Sequence, residues 1–366
     1  MPLPCIPDNL NNLNLDWQKL APFTSKAMHE LGRYDGTLRG IVNPGVLLSP
    51  ITNREAVLSS KIEGTQATLL EVLNHEAGQE YDELKRNEIH EIINYRHALL
   101  TGEEYLKERP ITLQLIRQLH AMLMQDVRGG DKTPGKFRED QNWIGKKGST
   151  IEQARFIPPN PVVMQEYLTK LQTFIDEDYF DPLVQLAIIH AQFEVIHPFN
   201  DGNGRLGRML VPLFLFQKGV LQRPMFYLSE YFEETDQIYR DKLLAVTAAK
   251  DWQGWIEFFL RAIQIQAERN NNKAKSILGL YESKKSVFRD LTKSKFSQAA
   301  LDALFKKPIL NSTDFQKLTG IDSRPTATAI LKALQQGGEI RLLRAGAGRS
   351  PGIFAFPALL EIADGK

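Results

Sequence analysis

Apolar residues recur every three to four positions through most of the chain, which predicts a protein built mainly of helices. Residues 1–15 lack this periodicity and read as an extended arm. Asp16 then caps a helix to Arg33, with Gly32 near its end, followed by a loop from Gly36 to Pro50. Thr52 is placed to cap a helix carrying Ala56, Val57, Ser60 and Ile62 and ending at Gly64. Helical spacing resumes over 67–100, with a break near Gly78. It returns from Thr112 to Val127, where Leu115, Ile116, Leu119, Met122 and Leu123 share a side and Gly129-Gly130 ends the run. Pro161 to Ile175 makes another helix. Leu183 to Ile196 is apolar nearly throughout, and Pro198 cannot continue it. Leu206, Met209, Leu210, Leu213 and Phe214 then predict a helix starting near Gly204. One stretch has a β signature: Asn142-Trp143-Ile144 and Arg155-Phe156-Ile157 around Gly145 and Gly148, read as a hairpin. Ser229 is placed to cap a further helix, Trp252, Trp255 and Phe258 have core spacing, and residues 270–295 form a polar, basic connecting helix.

Residues 297–366 form a separate small module. Leu301, Leu304 and Phe305 mark one helix face, Ser312 to Gly320 a second helix, and Ser323 caps a third with Pro325 near its start. Ile340 to Leu343 and Ile353 to Phe356 pair as strands around Gly346 to Gly352. This order resembles a winged-helix domain. Between 293 and 350 ten lysines and arginines face four acids, with Arg324, Lys332, Arg344 and Arg349 on the third helix and wing. DNA is therefore one candidate partner, and a protein or a second copy of the chain the other.

Bulk properties narrow the class. With 366 residues and 42% hydrophobic content the chain can bury large cores. A net charge of +1 gives no global attraction to nucleic acid or anionic membrane. The single cysteine, Cys5, excludes an internal disulfide and fits a reducing compartment. No signal-peptide pattern is visible, and no apolar run reaches the ~18 residues of a spanning helix, so a soluble cytoplasmic protein is expected.

The chemistry concentrates in His197-Pro198-Phe199-Asn200-Asp201-Gly202-Asn203-Gly204-Arg205-Leu206-Gly207-Arg208, between two predicted helices. Two glycines let the backbone approach a ligand, and the amides of the following helix's first turn make an anion site. One imidazole, one carboxylate, one carboxamide and two guanidinium groups surround it, an inventory suited to a nucleotide polyphosphate, its divalent metal and a base. A zinc centre lacks the ligands: His190 and His197 have no third partner at ligand spacing. A P-loop lacks its Lys-Ser/Thr pair and preceding strand.

This stretch resembles the signature of the Fic family, His-x-Phe-x-(Asp/Glu)-Gly-Asn-Gly-Arg-x-x-Arg, at every defined position. Ser59-Ser60-Lys61-Ile62-Glu63-Gly64 likewise resembles the family's inhibitory motif, (Ser/Thr)-x-x-x-Glu-(Gly/Asn). The resemblance implies a mainly α fold: a Fic helical core with a β-hairpin flap, plus the C-terminal winged-helix-like α+β domain. The expected division is an N-terminal helical region with the inhibitory helix (1–105), the Fic core (106–268), a connecting helix (269–296) and the winged-helix-like domain (297–366).

The activity implied is transfer of AMP from ATP to a hydroxyl of a target protein docked on the flap. His197 would be the base and Asp201 would hold Mg²⁺. Asn203 and the amides of Gly202 and Gly204 would steady the α-phosphate, and Arg205 and Arg208 would grip the outer phosphates. Ser59, Glu63 and Gly64 would form the inhibitory element, Glu63 pairing with Arg208. Tyr239 stands where the family usually has a tyrosine pair near the base, but its neighbour is Arg240. Two alternatives remain: a nucleotide-sensing winged-helix regulator that binds DNA, and a Fic enzyme that mainly removes AMP.

Overall fold

The computed structural model describes the chain except residues 1–2, 42, 128–132, 146–147, 149, 349 and 365–366. The helices of the first half are α1 (Trp17–Arg39), α2 (Pro44–Leu47), α3 (Ser49–Ile62), α4 (Leu69–Glu76), α5 (Glu83–Tyr105) and α6 (Leu113–Leu123). Then come α7 (Pro161–Asp176), α8 (Pro182–Ile196), α9 (Asn203–Gln217), α10 (Ser229–Glu234), α11 (Asp236–Ala248) and α12 (Trp252–Thr292). The C-terminal segment holds α13 (Ser297–Lys306), β1 (Ile309–Asn311), α14 (Ser312–Thr319), α15 (Arg324–Gln336), β2 (Arg341–Arg344), β3 (Ile353–Ala355) and α16 (Pro357–Asp364). The chain forms two compact units. One holds Met1–Asp35, Leu58–Thr65 and His90–Glu268, the other Gly36–Val57, Gln66–Ile89 and Arg269–Lys366.

The first unit is organised on α8. Asp181 caps it, its carboxylate accepting from the amides of Leu183 (2.8 Å) and Val184 (3.0 Å), with Pro182 in the first turn. From Leu183 to Ile196 every residue except Glu194 is buried, as expected of a helix apolar all round. Helices α7, α9 and α11 pack on it, and Trp255 Nε1 donates to the Ala187 carbonyl at 2.7 Å. Trp255 and His190 are stacked, with an interplanar angle of 8°.

In the second unit, β1, β3 and β2 form an antiparallel sheet in that order. Leu69, Leu73 and Ala77, on α4 and just after it, pack with Ile309, Ile353 and Ala355. Asn311 caps α14 and Ser323 caps α15 through the Thr326 amide. This segment runs helix, strand, two helices, two antiparallel strands and a short last helix. Arg324 and Lys332 are exposed, whereas Arg344 Nη1 donates to the Gly78 carbonyl at 3.2 Å and is not an open phosphate ligand. Arg349 and Gly129-Gly130 lie outside the described residues.

Several expected boundaries move. Helix α1 runs to Arg39 through Gly32 and Gly36. Glycine costs a helix only about 1 kcal/mol, and burial of Leu31, Tyr34 and Leu38 outweighs it. The expected loop over 36–50 holds α2, and α3 begins at Ser49, ahead of Thr52. Ser229 is the first residue of α10 and not its cap. The connecting helix is no separate element: α12 is continuous from Trp252 to Thr292. Of the expected hairpin, the described residues show one antiparallel bridge, Ile144 to Phe156, with bonds of 2.8 and 3.1 Å. Strand β1 and helix α16 are additions, too short for periodicity to reveal. Among the described residues no helix is long and apolar enough to cross a membrane.

Candidate active site

Within the first unit, the carbonyl end of α8 meets the amide end of α9, and the six residues between them include His197, Asp201 and Gly202. His197 ends α8 in the left-handed region (φ 49°), its amide still donating to the Phe193 carbonyl at 2.9 Å. A non-glycine residue held there costs about 1 kcal/mol or more and needs outside support. Arg138, buried, supplies it: Nε donates to the His197 carbonyl (2.9 Å) and Nη2 to that of Pro159 (2.5 Å). His197 Nδ1 lies 3.3 Å from the Glu194 carbonyl, which can only accept, so Nδ1 carries the proton and Nε2 the lone pair. Burial lowers the His197 pKa from 6.5 to about 4, leaving the ring neutral at neutral pH.

Asn203 closes the loop. Its Oδ1 accepts from the Phe199 amide (2.9 Å) and its Nδ2 donates to the Phe199 carbonyl (2.8 Å), so the carboxamide expected on a phosphate is already occupied. Phe199 is fully buried and stacked on His120, ring centroids 3.8 Å apart. His120 in turn accepts from the Gly135 amide at Nδ1 (2.8 Å) and donates from Nε2 to the Asp201 carbonyl (3.0 Å). Gly202 directly precedes α9 with φ 77°, and a Cβ there would lie 2.9 Å from Met124 Sδ, so only glycine fits.

The two signature arginines part company. Arg208 lines the cleft: Nε donates to Ser59 Oγ (3.0 Å), and Nη2 to the Ser59 carbonyl (2.7 Å) and to Glu63 Oε1 (2.8 Å). Ser59 and Glu63 are one turn apart, so one guanidinium spans both. Burial alone would lower the Arg208 pKa and raise that of Glu63; their pairing overrides it, holding Arg208 above and Glu63 below the ordinary values. The Glu63 carboxylate presses on Gly204, where a Cβ would come within 2.2 Å of Oε1. Gly64, with φ 96°, ends the α3 helix directly after it.

Arg205 lies elsewhere. It is 3% exposed, contacts Glu91 Oε2 at 3.3 Å and Asp201 Oδ1 at 3.7 Å, and does not line the cleft. A buried guanidinium needs carboxylate partners more than the site needs a second phosphate grip. Glu91 also accepts from Thr65 Oγ1 at 2.6 Å. Breaking such a pair strands a buried charge. Glu91→Ala is therefore expected to lower stability by about 3 kcal/mol, read as an earlier urea midpoint with unchanged slope. A change below ~0.5 kcal/mol would mean the pair carries little.

The cleft has a volume of about 440 Å³ and is lined by Glu63, His197, Asp201, Gly202, Gly204 and Arg208, with Trp143, Phe156, Leu243 and Leu244 as apolar wall. Tyr239 also lines it but is 4% exposed, with its hydroxyl 2.9 Å from His190 Nε2, so it is wall and not an open donor. Asp201, whose side chain is 37% exposed, is the loop carboxylate on the cleft. Among the described residues no cluster of three metal ligands exists. Asp201 is the cleft residue that could hold Mg²⁺, an ion that binds through one or two carboxylates plus substrate oxygens.

Family models match over the same segments: the Fic/DOC family N-terminal model covers residues 22–104 and the Fic/DOC family model residues 110–215, together just over half of the chain. The chain belongs to the Fic/DOC family. A probable protein adenylyltransferase of Aquifex aeolicus is 30% identical over 181 residues, 48% of this chain and 51% of the relative. The protein adenylyltransferase fic-1 of Caenorhabditis briggsae is 32% identical over 128 residues, 33% of this chain and 22% of its own length. This chain thus spans about half of the first relative and about a fifth of the second. The crystal structure of a Fic family protein from Desulfovibrio desulfuricans has a similar fold (TM-score 0.55, 20% identity), with 92% of this chain and 96% of that one aligned.

Four residues that shape this Fic site were not singled out from the sequence: Arg138, His120, Glu91 and Glu194. Three had a signal. Glu91 precedes Tyr95 and Ala98 on one buried stripe, His120 lies between Ile116 and Leu123 on another, and Glu194 is the one acid in an apolar helix. Glu194 Oε1 is buried with no hydrogen-bond partner among the described residues and faces Gly207, where a Cβ would lie 2.3 Å away. Burial raises its pKa from 4.5 to about 7, opposed by Arg208 and reinforced by Glu63. The folded chain thus keeps a proton that the unfolded chain releases above pH 4.5. The stabilisation is complete below pH 4.5 and is lost as pH rises through 7. Glu194→Gln should remove this slope, gaining on the order of 2 kcal/mol over wild type between pH 5 and 8 in urea titrations. Parallel pH profiles for the two proteins would contradict it.

Proposed function

We propose that this chain transfers AMP from ATP to a side-chain hydroxyl of a protein, and that Glu63 restrains the reaction. One observation carries the reading: a neutral imidazole with its Nε2 lone pair available shares a cleft with Arg208, whose guanidinium is held by a carboxylate of the chain itself. His197 Nε2 takes the proton from the target hydroxyl, the task a positioned neutral imidazole performs. The hydroxyl oxygen then forms its bond to the α-phosphorus while the bond to the β-phosphate oxygen breaks and pyrophosphate leaves. Main-chain amides around Gly202 and Gly204, at the start of α9, stabilise the charge that develops on the α-phosphate. Asp201 would hold Mg²⁺, which supplies charge neutralisation on the phosphates. Arg208 binds the outer phosphates once Glu63 leaves it. The region around Ile144 and Phe156, with exposed Trp143, is where an extended target segment would be aligned by main-chain bonds.

Incubation with a cell lysate and ATP labelled at either the α- or the γ-phosphate tests this. Protein-bound label from α-labelled ATP alone is the expected result. Label from γ-labelled ATP would make the chain a phosphotransferase. No label from either, with ATP still bound, would favour a nucleotide-sensing regulator. Release of AMP from previously modified protein would favour the reverse reaction.

A further inference from the structure

We infer that α10 and α11 clasp the turn that carries Glu63, with Arg240 as its positioning residue; this rests on the reading of Glu63 as the inhibitor. Helix α3 stops at Ile62, and its last carbonyls need donors. The Gly64 amide reaches the Lys61 carbonyl (2.9 Å) and the Thr65 amide that of Ser60 (3.1 Å). The Ile62 carbonyl, next to Glu63, receives Nη2 of Arg240 at 3.0 Å. Arg240 is itself set by Nε donating to Asp236 Oδ1 at 2.8 Å, one turn back on α11. A planar guanidinium can hold a carboxylate on one edge and a carbonyl on the other, and a lysine cannot. A cation at a helix C-terminus also opposes the negative end of the helix dipole.

A second contact runs the other way: Lys61 Nζ pairs with Glu233 Oε1 on α10 at 2.7 Å. The two residues preceding Glu63 are therefore tied to α10 and α11 by polar contacts of opposite direction. Glu63 meets Arg208 through one oxygen, and its side chain is 33% exposed. Where the backbone is held therefore decides whether that contact forms. Leu243 and Leu244 on α11 also line the cleft, so an occupant that displaces α11 loosens Glu63 as well.

The test compares wild type, Arg240→Gln, Arg240→Lys and Glu233→Gln by AMP transfer and by hydrogen exchange of residues 59–64. Arg240→Gln is expected to raise transfer by about five- to tenfold, the net worth of one ordinary hydrogen bond, and to speed exchange of the turn. Arg240→Lys should recover little of the restraint, and Glu233→Gln should give a smaller rise that vanishes when combined with Glu63→Gly. Unchanged exchange in Arg240→Gln would overturn the clasp, as would a fall in transfer, which would make Arg240 a substrate ligand. If Glu63→Gly itself shows no transfer, the proposed activity fails, and exchange at 59–64 still decides the clasp.

Discussion

Glu63→Gly is expected to raise AMP transfer by about ten- to a hundredfold over wild type, measured as label from α-labelled ATP on target or on the chain itself. The size follows from a charge-assisted pair worth about 1.5–3 kcal/mol, present in the resting protein and absent from the productive complex. Removing the carboxylate frees one N–H of Arg208 Nη2, the other staying on the Ser59 carbonyl, and clears the space beside Gly204, where the carboxylate oxygen would lie 2.2 Å from a Cβ. The helices around the cleft keep their caps, because Glu63 occupies the turn after α3. Ser59 still holds Nε of Arg208, so the guanidinium stays aimed into the cleft. Glu63→Gln tests the charge separately: it keeps the shape, loses the ion pair, and should fall between wild type and glycine. Equal rates for all three proteins would show that the Glu63–Arg208 pair does not limit the reaction.

His197→Ala in the Glu63→Gly background is expected to lower transfer by about 10²–10⁴-fold, the usual worth of a positioned general base. ATP binding should persist, because the amides around Gly202 and Gly204 and the Arg208 guanidinium remain. The left-handed backbone at position 197 complicates the alanine variant, which carries a strain of about 1 kcal/mol. Asparagine tolerates that conformation, so His197→Asn separates loss of the base from loss of the turn. Both variants should be equally inactive. Activity retained in either would remove His197 from the base role.

The residues proposed to carry the chemistry were singled out before any fold was known. His197, Asp201, Gly202, Gly204 and Arg208 fall in one short segment whose spacing is set by a helix end, a turn and a helix start. Local physics determines such a segment: Pro198 stops one helix, Gly202 permits the positive φ, and the apolar run from Leu206 starts the next. The helices with strong apolar stripes, and the Ser323 cap of α15, were legible for the same reason, whereas the Asp181 cap of α8 was not singled out.

What the sequence could not determine is which polar group faces which. Both arginines of the signature look alike in the chain, yet only Arg208 lines the cleft, because Glu91, from a helix more than a hundred residues earlier, pairs with Arg205. Asn203 looks like a phosphate ligand, yet its carboxamide is the clip that holds Phe199. Tyr239 reads equally well as base contact or core, and His190, two turns before His197 on α8, takes its hydroxyl. Helix α1 runs past two glycines, because burial and not local propensity set its boundary. Periodicity identifies the side of a helix that is buried; the partner that a buried charge finds there depends on which distant segment arrives, and the tertiary fold alone decides that.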